Sequence, residues 1–564
     1  MNLLRAAALA LAALFCMGEA TPEPVLTRVD YVLTPVLENG ALHALQVDLS
    51  FRAGAQTETR LALSDSWGGE TELYRGVQGL EVVSGATMRD GEGPAARVLT
   101  HRPRARIHVR YRVVQDWEGA PRAEHGNPYR PIIQPGYFHV IGNTALAMPD
   151  VPLASPVRVR VQNLPRGWSF ASDLERGGLN LASVAPSVMV GGDFRVLHGA
   201  DPNVRVAIRG RWSFNDQDFV RDVNDVIAGQ RRFWGDESTP FLVTVVQLDG
   251  PDNWTSIGGT GLGDAFAFFA SPNADTAPIK RTLAHEGLHT WIPEQVGGAP
   301  EQDEALQYWF SEGFTEFYTG RVMVREGVWT PTAFAADFNR MLREYAESPV
   351  REAANARILA DFWNDQPVRQ LPYQRGRLLA TMWDARLRAG GHDLDDIMLE
   401  MRARVHGGDP LKAVEMLPIV ADAMGLDVRP DIARFAEQGA AIMLPEDVFA
   451  PCGRVTTRQT PRFHRGFDIE ATSAHNNVIA GVDPASPAYA AGLRDGMVLV
   501  RRAHGEIGDA EQEIAYVVRD GGNERTISYM PRAPGPPMTV QSLVLDDDLA
   551  GDKLARCVAV LAGT

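Results

Sequence analysis

The stretch Thr282-Leu-Ala-His-Glu-Gly-Leu-His-Thr-Trp291 decides how the rest of the chain is read. It contains His285-Glu286-x-x-His289. On a helix, residues i and i+4 share a face, so His285 and His289 can present two imidazoles to one metal ion. Glu286, one residue along, stands where a carboxylate can take a proton from an attacking water. Zinc suits such a site because it takes nitrogen and oxygen ligands and activates water near neutral pH. With 13 histidines in the chain, about 0.02 such matches are expected by chance, so a coincidence on an amphipathic helix explains it poorly.

The flanking residues fit a helix. Asp275 and Thr276 are capping types, Pro278 suits a first turn, and Pro293 stops the helix soon after Trp291. A catalytic zinc site has three protein ligands and one open position. The stretch Tyr308-Trp-Phe-Ser-Glu-Gly-Phe-Thr-Glu-Phe-Tyr318 offers the third ligand as Glu312, 23 residues beyond His289. That distance leaves room for a loop and a returning helix with an aromatic buried face. Glu316, one turn further, is either a partner that orients a histidine or a solvated charge.

A chain of 564 residues should hold about three domains. Its 45% hydrophobic and 22% charged content is that of a globular protein. A net charge of −16 argues against nucleic acid or an anionic membrane as partner. Residues 1–20 read as a signal peptide: Arg5, an apolar run from Ala6 to Met17, then Gly18-Glu-Ala20 as a small-residue cleavage site. The expected product is an exported protein, periplasmic or extracellular, with no membrane-spanning segment in the mature chain. Cys16 offers a lipoprotein alternative, against which Phe15 is large for the usual processing site. In an oxidising compartment the two remaining cysteines, Cys452 and Cys557, are expected to form a disulfide across the last domain.

Three regions follow the leader. Residues 21–211 alternate apolar and polar positions between Gly- and Pro-rich turns, as in Ala44–Phe51, Ala105–Val113 and Val157–Val161, which predicts a β-sandwich-like domain. Its histidines lack ligand spacing and receive no role. Residues 212–445 predict helix Asp216–Phe233, strand Pro240–Leu248, a glycine-rich turn Gly258–Asp264, strand Ala265–Phe269, the two motif helices, and helices Arg375–Ala389 and Leu394–Val405. The strand before the His-Glu-x-x-His helix is expected to offer an edge to an extended peptide. Residues 446–564 return to short strands around Val478–Leu499. The fold class expected is multidomain α+β: a β domain, a mainly helical zinc peptidase domain, and a smaller C-terminal domain.

The segments His285–Trp291, Trp309–Thr315 and Tyr373-Gln-Arg-Gly376, together with the tail, resemble the glycyl aminopeptidase family. That is metallopeptidase family sixty-one, of the thermolysin-like gluzincin clan, with a C-terminal PDZ domain. The resemblance implies zinc bound by His285, His289 and Glu312, with Glu286 as general base. It makes Tyr373, just before a helix, the hydrogen-bond donor to the tetrahedral oxyanion. The family carries a Gly-Leu-Glu type motif whose acid holds the substrate's amino terminus. Here Gly261-Leu262 is followed by Gly263 and Asp264, so Gly261 and Asp264 are the substrate-binding candidates. On this resemblance the partner is a peptide or protein substrate. In the tail, Arg465-Gly-Phe-Asp-Ile469 resembles a PDZ loop that captures a peptide C-terminus, or else belongs to a structural lid. The function reading is an exported zinc metallopeptidase, with two rivals: a catalytically inactive PDZ-containing peptide-binding protein of the cell envelope, and a true amino-terminal exopeptidase.

Overall fold

The computed structural model describes residues 26–67, 70–122, 129–236, 240–250, 255–274, 276–300 and 302–563. The signal-peptide reading of residues 1–20, with Cys16, lies outside them, as does Asp275. The described residues divide into two compact units, one within Met1–Gly119 and Asn127–Asp193, the other within Ala120–Gly126 and Phe194–Thr564. The architecture is multidomain α+β.

The first unit is built on β-sheets, as the alternation in its sequence predicts. Its largest sheet has five strands in the order Val157–Val161, Val29–Glu38, Ala41–Arg52, Arg106–Val113 and Val77–Ser84. Every second residue of Val29–Glu38 is buried through Pro35, which gives the sheet one dry face. Val29, Tyr31, Leu33, Val47, Leu49, Val109 and Tyr111 meet residues of two further four-stranded sheets in a single core. Two histidines are absorbed locally, His101 against the Thr59 hydroxyl and His108 against Asp48.

The second unit begins at Phe194, earlier than the Trp212 boundary expected from the change of period. Strands β1 (Arg195–His198) and β2 (Val204–Arg209) join the catalytic sheet instead of the first unit. The sheet continues with β3 (Phe241–Gln247), β4 (Ile257–Gly261) and β5 (Ala265–Ala270), in the order β1-β2-β3-β5-β4. Strands β2, β3 and β5 run parallel and β4 returns antiparallel. The edge strand is therefore β4, where the run of glycines predicts a turn, and Ala265–Phe269 lies inside. Glycine has little intrinsic strand preference, so only pairing with β5 makes Ile257–Gly261 a strand.

Among the described residues of this unit, the helices of seven residues or more are α1 (Asp216–Trp234), α2 (Thr276–Leu288), α3 (Tyr308–Arg325), α4 (Pro331–Glu347), α5 (Asn355–Asp361), α6 (Gln366–Ala389), α7 (Leu394–His406), α8 (Ala413–Ala423) and α9 (Gly551–Ala562). Helix α6 begins well before Arg375, so Tyr373 lies within it rather than ahead of it. An interior proline normally costs a helix about 3 kcal/mol; here Pro372 is carried by buried Val368, Leu371, Leu378 and Leu379 on either side. Helices α3 and α6 form the centre of the unit through Trp309, Phe310, Phe314, Leu378, Leu379 and Trp383.

Strands β6 (Gly453–Thr460) and β10 (Met538–Leu545) pair antiparallel. Between them β7 (Val498–His504), β8 (Ile514–Asp520) and β9 (Asn523–Tyr529) form a three-stranded sheet over its own core of Phe467, Ile479, Leu493, Ile514, Val518 and Ile527. Cys452 and Cys557 are disulfide-bonded. Both belong to the helical core with Phe449 and Leu561, so the bond fastens α9 to the catalytic helices rather than closing a separate last domain.

Candidate active site

Two helix crossings bring the motifs together. Helix α3 crosses α6 at Gly313 and Gly376. A Cβ on Gly376 would stand 1.7 Å from the Trp309 carbonyl oxygen, and one on Gly313 would stand 2.3 Å from the Gly376 Cα. Only two glycines allow that approach. Each sits beside a site residue: Gly313 follows Glu312, and Gly376 is three residues past Tyr373. The second contact sets α2 against α3 through the side chains of the site itself.

At the end of α2, His285 Nε2 lies 3.3 Å from Glu312 Oε2, and His289 Nε2 lies 3.4 Å from the same oxygen. One donor atom from each of the three residues falls within 4.8 Å of the others. The far nitrogens are also engaged. His289 Nδ1 is 2.9 Å from the Ile292 carbonyl oxygen, and His285 Nδ1 is 3.0 Å from Glu316 Oε1. With Nδ1 turned to an acceptor in both rings, each Nε2 faces the centre. His289 itself is one residue past the α-helix, in the turns that end at Ile292. Trp291 steadies that exit: its indole N–H donates to Asp236 (2.5 Å), which also accepts from Arg402 (2.6 Å).

Behind the donors lies a charge network that the sequence motifs do not predict. Glu316 accepts from Arg281 and lies 3.7 Å from Arg377. Asp337 accepts from Arg281 Nε at 3.0 Å and from Arg377 Nη1 at 2.8 Å. A spacing signal existed, since Arg281 is four residues before His285 and Arg377 four after Tyr373. Nothing in the sequence tied the two helices to one acid. Glu316 is thus a buried partner of His285, not a solvated charge.

Electrostatics favour a cation at the centre. Burial alone would lower the His285 pKa, but the Glu312 and Glu316 carboxylates hold it up to about 10. Against its burial, Glu312 is held well below the usual carboxylate range by His289 and His285. Two imidazole nitrogens and one carboxylate oxygen are zinc donors, and a tetrahedron with bonds of ~2.0–2.1 Å has edges of about 3.3–3.4 Å. The two donor separations above match that edge, so these residues fit a zinc ion.

Glu286 is held from the sheet edge. Its Oε2 accepts from the Gly261 N–H at 3.3 Å, at the end of β4. The ring of Tyr373 lies 5.8 Å from that of His285, nearly parallel at 23°. Burial, and after it the charges of Glu312 and Glu286, push the phenol far up, so it stays protonated and able to donate. Gly261 therefore enters the site as a backbone donor to Glu286. Gly263 and Asp264 lie in the β4–β5 turn, closed by Leu262 N–H to the Ala265 carbonyl. Alternation along a strand does not govern them there. The Asp264 charge, with that of Asp201, acts on Arg231 of α1, whose pKa burial lowers.

Residues 279–365 match the family model of the M61 glycyl aminopeptidases. The domain is that of a peptidase. It is a hydrolase of peptide bonds. The chain is similar in fold to an aminopeptidase N family protein from Idiomarina loihiensis, with a TM-score of 0.66 at 14% identity, over 94% of this chain and all of the other. An M1 zinc metallopeptidase from Deinococcus radiodurans aligns at 18% identity over 75% of this chain and 95% of its own, with a TM-score of 0.45. No curated protein matches the sequence. Among the described residues, no helix is long and apolar enough to cross a membrane.

Proposed function

We propose that the protein is an exported, zinc-dependent metallopeptidase that cuts peptides without a strict need for a free amino terminus. The observation that carries the metal is the pair of 3.3 and 3.4 Å donor separations about Glu312 Oε2. Bound zinc would polarise the scissile carbonyl and make water nucleophilic near neutral pH. Glu286, fixed by the Gly261 amide, takes the proton of the attacking water and passes it to the leaving amine. The Tyr373 phenol donates to the oxygen on which negative charge develops. Glu316 holds His285 in the tautomer that leaves Nε2 for the metal.

Export is supported by the leader-like first twenty residues and by the Cys452–Cys557 disulfide. The open requirement at the amino terminus is supported by the Gly263-Asp264 turn. An exopeptidase must pair a buried substrate ammonium, and leaving it unpaired costs several kcal/mol. The family acid is replaced by Gly263, and Asp264 lies in the field of Arg231. We also read the module around β7–β9 as PDZ-like, with Arg465–Ile469 as its loop for a peptide C-terminus. Its support is the independent core and Gly466, whose φ of +86° turns the chain between Arg465 and Phe467.

The test pairs a peptide with its amino-terminally acetylated twin, each with and without a chelator. Cleavage of both twins, abolished by the chelator, supports the reading. If acetylation stops cleavage and Asp264→Ala does the same, Asp264 is the amine anchor and the enzyme is an aminopeptidase.

A further inference from the structure

A row of aromatic rings leaves the metal centre and ends at the surface. Tyr308 lies one turn before Glu312 on α3, so the two side chains share a face. Its ring centroid is 4.6 Å from that of Phe362, and Phe362 is 5.0 Å from Trp363. Burial, and after it the charges of Glu304 and Glu312, push the Tyr308 phenol up to about 12, which agrees with a place at the rim of the site. Phe362 is buried, whereas Trp363 is 60% exposed and Leu359, four residues earlier, is 43% exposed.

These two apolar side chains stand on a braced backbone. Helical geometry continues past α5 to Phe362. Asn355 Nδ2 donates to the Leu306 carbonyl at 2.6 Å, which ties α5 to the chain just ahead of α3. Arg369 Nη2 donates to the Trp363 carbonyl at 2.9 Å, which ties its far end to α6. An exposed indole and a leucine on a fixed backbone, joined to the Glu312 helix through Phe362 and Tyr308, have the composition of a ligand-contact surface.

Resting on the peptidase reading above, we propose that Leu359 and Trp363, floored by Phe362 and Tyr308, form an apolar subsite for the substrate. It holds an aromatic or aliphatic side chain of an extended peptide, away from the bond that is cut. One helix turn and two ring-to-ring steps put Trp363 within about 15 Å of Glu312. An extended peptide advances ~3.3 Å per residue, so the contact falls within roughly four or five residues of the scissile bond. Peptides long enough to reach Trp363 gain from it, and dipeptides do not.

The test uses octapeptides of serine and glycine in which one phenylalanine is moved along the sequence. Binding is read by fluorescence anisotropy on the intact zinc-loaded Glu286→Gln protein, and cleavage on the protein without that change. One phenylalanine position should bind about tenfold more tightly than the parent peptide. Adding Trp363→Ala should remove that preference, and Trp363→Phe should retain most of it. A preference that survives Trp363→Ala, or no preference at any position, overturns the subsite. If no octapeptide is cut, it is the peptidase reading that fails, and the binding arm still decides the subsite.

Discussion

The metal-facing side of the site is enclosed by charged side chains, and its substrate-facing edge is made of backbone. On the first side His285 leans on Glu316, Glu316 on Arg281 and Arg377, and both arginines on Asp337, with all but the half-buried Arg281 buried. On the second, β4 is Ile-Gly-Gly-Thr-Gly, and its link to the site is one amide N–H that donates to Glu286. The metal side fixes the chemistry with specific residues and tolerates little change. On the function proposed above, the edge fixes only the direction of a substrate strand, and specificity comes from residues further out.

That contrast makes predictions of graded size. The largest is at the helix crossing that the metal side depends on. Gly376→Ala places a Cβ 1.7 Å from a backbone oxygen that no rotamer can relieve. A loss of more than about 5 kcal/mol in denaturant unfolding is expected, with most of the protein insoluble. Next, Arg281→Met leaves Glu316 and Asp337 buried with one cation fewer. About 3–5 kcal/mol of stability should go, and zinc affinity should fall ~10–100-fold in a competition titration. An unchanged metal affinity would show that the charge network does not orient His285.

Tyr373→Phe keeps the ring against His285 and removes only the hydroxyl. A fall in kcat of ~10²–10³-fold, about 2.7–4 kcal/mol, with zinc content unchanged, is the expected result. The smallest effect belongs to the edge. Gly261→Ala puts a Cβ 3.2 Å from the Glu286 carbonyl oxygen, so α2 must give by a few tenths of an ångström. The cost should be about 1–3 kcal/mol in kcat/KM, with stability nearly unchanged. An effect as large as that of Tyr373→Phe would mean the edge is more than a backbone template.

The same contrast explains what the sequence disclosed. His285, His289 and Glu312 were legible because metal ligation demands particular side chains at particular spacings, and Glu286 because a base must stand beside them; the crossing at Gly313 and Gly376 was not. Strand β4 was not legible, because three glycines in five residues read as a turn and only pairing with β5 orders them. The start of α6 was hidden behind Pro372, which local preference reads as a helix boundary and buried neighbours override. Strands β1 and β2 alternate like those of the first unit, and nothing local says which sheet they join. Arg281 and Arg377 were invisible as site residues because their common partner, Asp337, comes from a third helix.

The central claim is that three side chains hold zinc while Glu286 moves the proton. Metal content and peptide turnover, measured together on Glu286→Gln, test it most directly. One zinc per chain with turnover reduced ~10²–10⁴-fold is predicted, and His285→Ala should lose both metal and turnover. Full turnover by Glu286→Gln would contradict the account.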